Sequence, residues 1–127
     1  NDLDEELQFF MKNIDQYEIG EYIEQVAYFT YKFIVIHPFR DGNGRISRAI
    51  MNWLLSKKKI PPIYIDQKCR KEYYDALSKI DLEEDPVPFI MFIEKRIIHT
   101  MIELHRYLFV DEIDEEEINE EAEVNGN

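Results

Sequence analysis

Cysteine, glycine and long apolar runs are all scarce in this chain of 127 residues. The one cysteine, Cys69, has no partner for an internal disulfide bond, which suits a reducing compartment. No apolar run approaches the ~20 residues that a membrane-spanning helix needs. The acidic N-terminus does not resemble a signal peptide. These absences predict a soluble cytoplasmic protein without a membrane partner.

Basic residues are also few, with 15 Lys and Arg against 27 Asp and Glu and a net charge of −12. Nine of the acidic residues, and no Lys or Arg, lie in residues 111–127, so the rest of the chain carries only −3. Nucleic-acid binding needs clustered basic residues, which excludes a nucleic-acid contact by this chain. The acidic tail is predicted to be disordered or frayed, with a regulatory role as the alternative.

Apolar residues recur at helical spacing throughout the chain, and no strand-like alternation is present. The fold class is therefore predicted to be all-α, with one compact core over residues 1–110 followed by the tail at 111–127. Proline and glycine mark the breaks, of which one is expected at residues 17–20 and another at 81–88. Helices are predicted from residue 2, over about 21–36, from about 45, after residue 66, and over 89–109.

Two of the four glycines fall in one segment, HPFRDGNGRISR, which covers residues 37–48 between the second and third predicted helices. Gly42 and Gly44 lack Cβ atoms, so the backbone can approach a ligand closely, and residues 41–44 are predicted to form a loop that is neither helix nor strand. Amides in such a loop, together with the N-terminal end of the next helix, form an anion-binding site.

The charged residues of this segment suit a polyphosphate. Arg45 and Arg48 are three apart and share a helix face. Asp41 would repel phosphate unless Mg²⁺ bridged the two. His37 is the natural general base, because its unperturbed pKa lies near neutrality. The simpler interpretation, a helical turn with surface charges and a core histidine, is favoured for each residue alone but not for the combination.

The segment resembles, position for position, the signature HPFx(D/E)GNGRxxR of the Fic (filamentation induced by cAMP) family. The resemblance extends over residues 3–109 and includes the later Arg70-x-x-Tyr73-x-x-x-Leu77 stretch. It implies a compact Fic-type helical bundle with a catalytic loop between two central helices. It also implies a protein adenylyltransferase that moves AMP from ATP to a Ser, Thr or Tyr hydroxyl of a target protein.

The resemblance also implies roles for individual residues. His37 would deprotonate the target hydroxyl, and Asp41 would bind Mg²⁺. Pro38 and Phe39 would shape and anchor the loop. The phosphate-binding positions would be Gly42, Asn43, Gly44, Arg45 and Arg48. Tyr73 and Tyr74 are candidates for a nucleoside pocket, although packing in the core is the preferred interpretation for both.

Two family features have no match in these residues. The chain starts at Asn1, not Met, which indicates a piece of a longer protein, and the flap that docks the target is expected to lie upstream. The inhibitory motif (S/T)xxxE(G/N) is absent, so inhibition is expected from an upstream segment or a separate antitoxin-like partner. Two alternatives stay open. One is a related enzyme that phosphorylates a target protein or removes AMP from it. The other is a non-enzymatic nucleotide-sensing module of a larger regulator.

Overall fold

The computed structural model describes residues 2–36 and 43–125, with side chains for residues 2–36 and 44–109. Within these ranges every regular element is helical, which confirms the all-α prediction. None of the described helices is long and apolar enough to cross a membrane. The elements are α1 (Asp2–Lys12), a 3₁₀ turn (Ile14–Gln16), α2 (Ile19–Ile36), α3 (Asn43–Lys57), α4 (Arg70–Glu83) and α5 (Val87–Asn125).

The core is built around α2, which packs against both α3 and α5, while α4 packs against α5. The buried residues of α2 recur every three or four positions and so line one side of the helix. Phe10 of α1 closes this side, with its ring centroid 5.1 Å from those of Tyr22 and Phe29. The buried residues of α2 are Tyr22, Ile23, Val26, Ala27, Phe29 and Thr30.

The junction between α1 and α2 covers residues 13–18, so it begins and ends earlier than the predicted break at residues 17–20. Helix α2 begins at Ile19, so Gly20 lies in its first turn. The side-chain ammonium of Lys58 donates hydrogen bonds to the carbonyls of Ile14 and Tyr17, at 2.9 and 2.8 Å. These bonds tie the junction to the residue that follows α3.

Helix α3 is held along its length by two further contacts. The hydroxyl of Tyr22 donates a hydrogen bond to the carbonyl of Leu54. Asn52 pairs with the backbone of Ile63, donating to its carbonyl at 3.0 Å and accepting from its amide at 2.8 Å. Because α3 is bonded on two sides, its N-terminal end has a defined position against the core.

Helices α4 and α5 form a hairpin through a tight turn at Glu84. This residue has a left-handed backbone, with φ of 54°, and its amide donates to the carbonyl of Ile80 at 3.0 Å. Helix α4 extends past the predicted break at Asp81, and α5 continues beyond the predicted end at residue 109 to Asn125. Most residues after Ile97 in α5 are exposed, up to residue 109. Beyond Ile97, α5 thus extends away from the core.

Candidate functional site

The N-terminal end of α3 lies where the sequence places the phosphate-binding segment. Helix α3 begins at Asn43, so Asn43 and Gly44 are helical. The prediction that residues 41–44 are neither helix nor strand is wrong for these two. A helix that starts here leaves the first amides of the motif without intrahelical acceptors, and these amides are available to an anion.

Gly44 makes room for the guanidinium of Arg48. A Cβ atom at residue 44 would lie 3.2 Å from one terminal nitrogen of Arg48 and 3.7 Å from the other. The backbone of Gly44 is helical, so its conformation does not require glycine. The glycine instead allows the half-buried Arg48 side chain to fold back over the first turn of α3.

The charges at the start of α3 are opposite to those that a helix normally prefers. The first turn of α3 contains no acidic residue, whereas the first turns of α1, α2 and α4 all contain at least one. Instead, Arg45 and Arg48 occupy the first two turns. Positive side chains near a helix N-terminus are unfavourable by ~0.3–1 kcal/mol each. A bound anion would reverse the sign of this interaction.

Polar groups are buried beside Arg48. Ser47 is fully buried, and its hydroxyl donates a hydrogen bond to the carbonyl of Gly44 at 3.0 Å. Tyr73 of α4 is 2% exposed. Burial raises the pKa of Tyr73, and the positive charge of Arg48 and a hydrogen bond with Ser47 oppose that rise. The hydroxyl of Tyr73 therefore links α4 to the first turns of α3.

A cleft opens where the end of α2, the start of α3 and the middle of α4 meet. Its volume of about 190 Å³ is below the ~300 Å³ of a typical small-molecule pocket, so the described residues form only part of a nucleotide-sized site. The ring of Tyr74, 53% exposed, stands beside Tyr73 at 5.2 Å between centroids. The lining residues are Ile34, Gly44, Ser47, Arg48, Tyr73, Tyr74 and Leu77.

The structure brings some of the predicted site residues together. Gly44, Arg48, Tyr73 and Tyr74 all line the cleft, while Arg45 is exposed on α3. Asn43 is described only by its backbone. The other predicted positions lie outside the described residues: His37, Pro38, Phe39, Asp41 and Gly42.

Three residues that line the cleft were not predicted as site residues: Ile34, Ser47 and Leu77. Ser47 occupies a variable position of the motif. Ile34 and Leu77 are apolar residues at helical spacing, and the sequence does not distinguish those that face the core from those that face a cleft. The one available signal was a serine on the apolar side of α3, between Ile46 and Ile50.

Comparison with known proteins agrees with this geometry. The Fic/DOC family profile matches residues 2–55, which include α1, α2 and nearly all of α3. A solved structure of Fic-1 (residues 134–508) from Caenorhabditis elegans superimposes with a TM-score of 0.63 at 29% sequence identity, over 84% of this chain and 31% of that one. This chain carries a Fic/DOC-family domain. Its fold is the Fic-type helical bundle that the sequence predicts.

Sequence relatives of this Fic/DOC domain are named as protein adenylyltransferases. The protein adenylyltransferase fic-1 of Caenorhabditis elegans is 35% identical over 86 residues, which are 68% of this chain and 16% of the relative. The protein adenylyltransferase Fic of Culex quinquefasciatus is 42% identical over 81 residues, 64% of this chain and 16% of the relative. The chain thus spans about one sixth of the length of these relatives.

Proposed function

We propose that this Fic/DOC domain is the catalytic part of a protein adenylyltransferase, which transfers AMP from ATP to a hydroxyl side chain of a target protein. The observation that carries the proposal is the position of Arg48, folded over Gly44 at the N-terminal end of α3. The names of the relatives support the same activity.

The arrangement of charge suits a nucleoside triphosphate. A helix N-terminus with free amides and two arginines can hold several phosphate oxygens at once, and guanidinium groups bind phosphate through paired hydrogen bonds. We assign the α3 amides of Asn43 and Gly44, with Gly42, to the inner phosphates. Arg45 and Arg48 are assigned to the outer ones, which form the leaving group.

In the proposed reaction the target hydroxyl oxygen attacks the α-phosphorus of ATP. The bond to the α–β bridging oxygen breaks, and pyrophosphate leaves. His37 accepts the hydroxyl proton, while Pro38 and Phe39 hold the loop that carries it. Catalysis of this type comes mainly from positioning and from stabilisation of phosphate charge.

Mg²⁺ fits the donor set of this proposal. Mg²⁺ in nucleotide sites takes one or two carboxylates plus phosphate oxygens. Asp41 is the carboxylate of the motif, and no group of three metal-binding side chains occurs among the described residues. Asp41 and the ATP phosphates would therefore hold the ion together, where it would neutralise phosphate charge.

The nucleoside is proposed to lie against Tyr74. Its half-exposed ring borders the cleft beside Arg48 and presents an aromatic face on which a base can stack. Tyr73 is buried behind it and is proposed to position Tyr74 and Arg48 instead of touching the base. Because residues 1–127 contain no (S/T)xxxE(G/N) match, an upstream segment or an antitoxin-like protein is proposed to restrain the site.

The test uses the full-length protein with Mg²⁺, cell lysate and ATP labelled at either the α- or the γ-phosphate. Protein labelling from α-labelled ATP alone is the expected result. Labelling from γ-labelled ATP alone would replace the proposal with phosphorylation. Binding of ATP without any labelling would replace it with a nucleotide-sensing module.

The role of His37 is tested by His37→Ala, with His105→Ala, on the exposed half of α5, as the matched control. Loss of a general base lowers the rate by ~10²–10⁴-fold. We expect a loss in this range for His37→Ala with ATP binding retained, and an unchanged rate for the control. Normal transfer by His37→Ala would exclude His37 as the base.

A further inference from the structure

Ser47 is a small polar residue of α3 that is fully buried. A buried hydroxyl lowers the stability of a fold unless it forms hydrogen bonds. Alanine at this position would avoid that cost and is also the better helix former. Ser47 lines the cleft together with Arg48 and Tyr73, so the contacts of its hydroxyl there indicate what it does.

A second serine of α3 shows which of these contacts are ordinary. Ser56 donates a hydrogen bond to the carbonyl of Trp53 at 2.6 Å, and Ser47 donates to the carbonyl of Gly44 at 3.0 Å. Each serine thus bonds the carbonyl three residues before it in the same helix. Ser56 is exposed, whereas Ser47 is buried beside the cleft. The backbone contact is common to both, so the side chains around Ser47 are what distinguish it.

The hydroxyl of Tyr73 connects Ser47 to Arg48. Both residues are hydrogen-bond partners of that hydroxyl, and all three line the cleft. A serine hydroxyl has a single hydrogen, and Ser47 gives it to the carbonyl of Gly44. A guanidinium group can only donate. The hydroxyl of Tyr73 therefore donates to Ser47 and accepts from Arg48.

This network holds a guanidinium group without neutralising it. Among the side chains that the structure describes, Arg48 forms no ion pair with a carboxylate, unlike Arg96, which lies 3.9 Å from Asp66. A carboxylate would compete with phosphate for the guanidinium, whereas a neutral hydroxyl fixes its position and leaves its charge available. An arginine that is already held in place also loses less conformational freedom when phosphate binds.

We propose that Ser47 is a positioning residue of the phosphate site, which holds the guanidinium of Arg48 through the hydroxyl of Tyr73. This role rests on the proposed function, since it needs Arg48 to contact the outer phosphates of ATP. Gly44 contributes to it twice, because its carbonyl ends the network and its missing Cβ atom leaves room for the guanidinium. Without the serine hydroxyl, Tyr73 would lose its acceptor and Arg48 would be held less firmly.

ATP binding by the full-length protein tests this role, with Ser56→Ala as the matched control for Ser47→Ala. Both variants lose a hydroxyl that bonds the carbonyl three residues earlier in α3. We expect ATP with Mg²⁺ to bind Ser47→Ala about tenfold more weakly, and to bind Ser56→Ala as it binds the unaltered protein. Isothermal titration calorimetry measures the dissociation constants, and circular dichroism checks that both variants are folded.

A second nucleotide distinguishes positioning from general support of the cleft. AMP lacks the outer phosphates, so its affinity should be the same for Ser47→Ala and for the unaltered protein. An equal loss of affinity for ATP and AMP would show that Ser47 supports the cleft as a whole, and it would overturn the positioning role.

Tyr73→Phe removes the same link from the side of α4 and retains the aromatic ring. This variant should also bind ATP about tenfold more weakly. Residues that act in one network have non-additive effects, so Ser47→Ala combined with Tyr73→Phe should weaken binding about tenfold and not about a hundredfold. Additive losses would overturn the connection between Ser47 and Tyr73.

The results for ATP also distinguish this role from the proposed function. Unchanged ATP binding by Ser47→Ala would overturn the role of Ser47 and leave the adenylyltransferase proposal in place. The expected losses of affinity in a protein that transfers no AMP would support the role of Ser47 and overturn only the proposed activity. Absence of ATP binding by the unaltered protein would overturn both.

Discussion

In most folded proteins apolar side chains are buried and polar ones are exposed. The start of α3 and the part of α5 beyond Ile97 depart from this rule in opposite ways. At the start of α3, polar groups are buried: Ser47 is fully buried, and Tyr73 is 2% exposed. Along α5 beyond Ile97, large apolar side chains are about half exposed, and Ile98 is 56% exposed. Buried polar groups and exposed apolar patches are the two informative departures in a folded protein, and this domain contains both.

The two regions differ in what surrounds them. The start of α3 is held by α2 and α4, and the contacts of Tyr22 and Asn52 further along α3 restrict its movement. Beyond Ile97, α5 is supported by its own helical hydrogen bonds. A small ligand needs a prearranged site, whereas a helix surface can be completed by another helix.

The largest expected effect is at the start of α3. Arg48→Ala removes the guanidinium that lies over Gly44, and AMP transfer should fall by ~10²–10³-fold, the usual loss for a group that stabilises developing charge. The matched control is Arg106→Ala on the exposed part of α5. Rates are compared with α-labelled ATP. Equal rates in both variants would remove Arg48 from the proposed site.

The next effect contrasts packing in the two regions. Leu54 of α3 is fully buried, so Leu54→Ala should lower the free energy of unfolding by about 3 kcal/mol. Ile98→Ala, at an exposed position of α5, should change it by no more than about 0.5 kcal/mol. Urea denaturation measures both values. A large loss for Ile98→Ala would contradict the exposed position of Ile98 on α5.

The pH dependence of the free energy of unfolding should differ between variants of a buried tyrosine in α2 and of an exposed tyrosine in α5. Burial raises the pKa of Tyr22 from 10.0 to about 12. The protonated tyrosine therefore stabilises the fold fully below pH 10, and this stabilisation is lost as the pH rises from 10 towards 12. The free energy of unfolding should fall over this range, and less steeply in Tyr22→Phe. Tyr107→Phe, at an exposed position of α5, should retain the steeper fall of the unaltered chain.

The smallest effect lies in the turn that joins α4 to α5. Glu84 holds a left-handed backbone, which is strained for any residue with a Cβ atom. Glu84→Gly should raise the free energy of unfolding by about 0.5 kcal/mol, because glycine adopts this conformation without that cost. Thermal unfolding measures the change, with Glu83→Gly inside α4 as a control that should be destabilising.

Apolar spacing was sufficient to predict the helices, since one face of each must be buried whatever its neighbours are. The motif predicts a site between α2 and α3, and the described part of that region contains the cleft beside Arg48. The contact between Ser47 and Tyr73 could not be predicted from the sequence, because it joins residues 26 apart that are brought together only when α4 lies beside α3. The extent of α5 was also missed. The acidic end of α5 carries like charges that repel one another, which disfavours order. Glutamate is also a good helix former, and the backbone is helical up to Asn125.

The ring of Tyr73 gives α5 a mechanical connection to the site. It lies between the Arg48 end of α3 and the rings of Phe89 and Phe92 on α5, at 6.0 and 5.6 Å. A close-packed interior transmits displacement because it has no space to absorb it. These rings lie in the first two turns of a 39-residue helix about 58 Å long. A displacement of the start of α5 would thus be transmitted through Tyr73 to Arg48 at the proposed phosphate site.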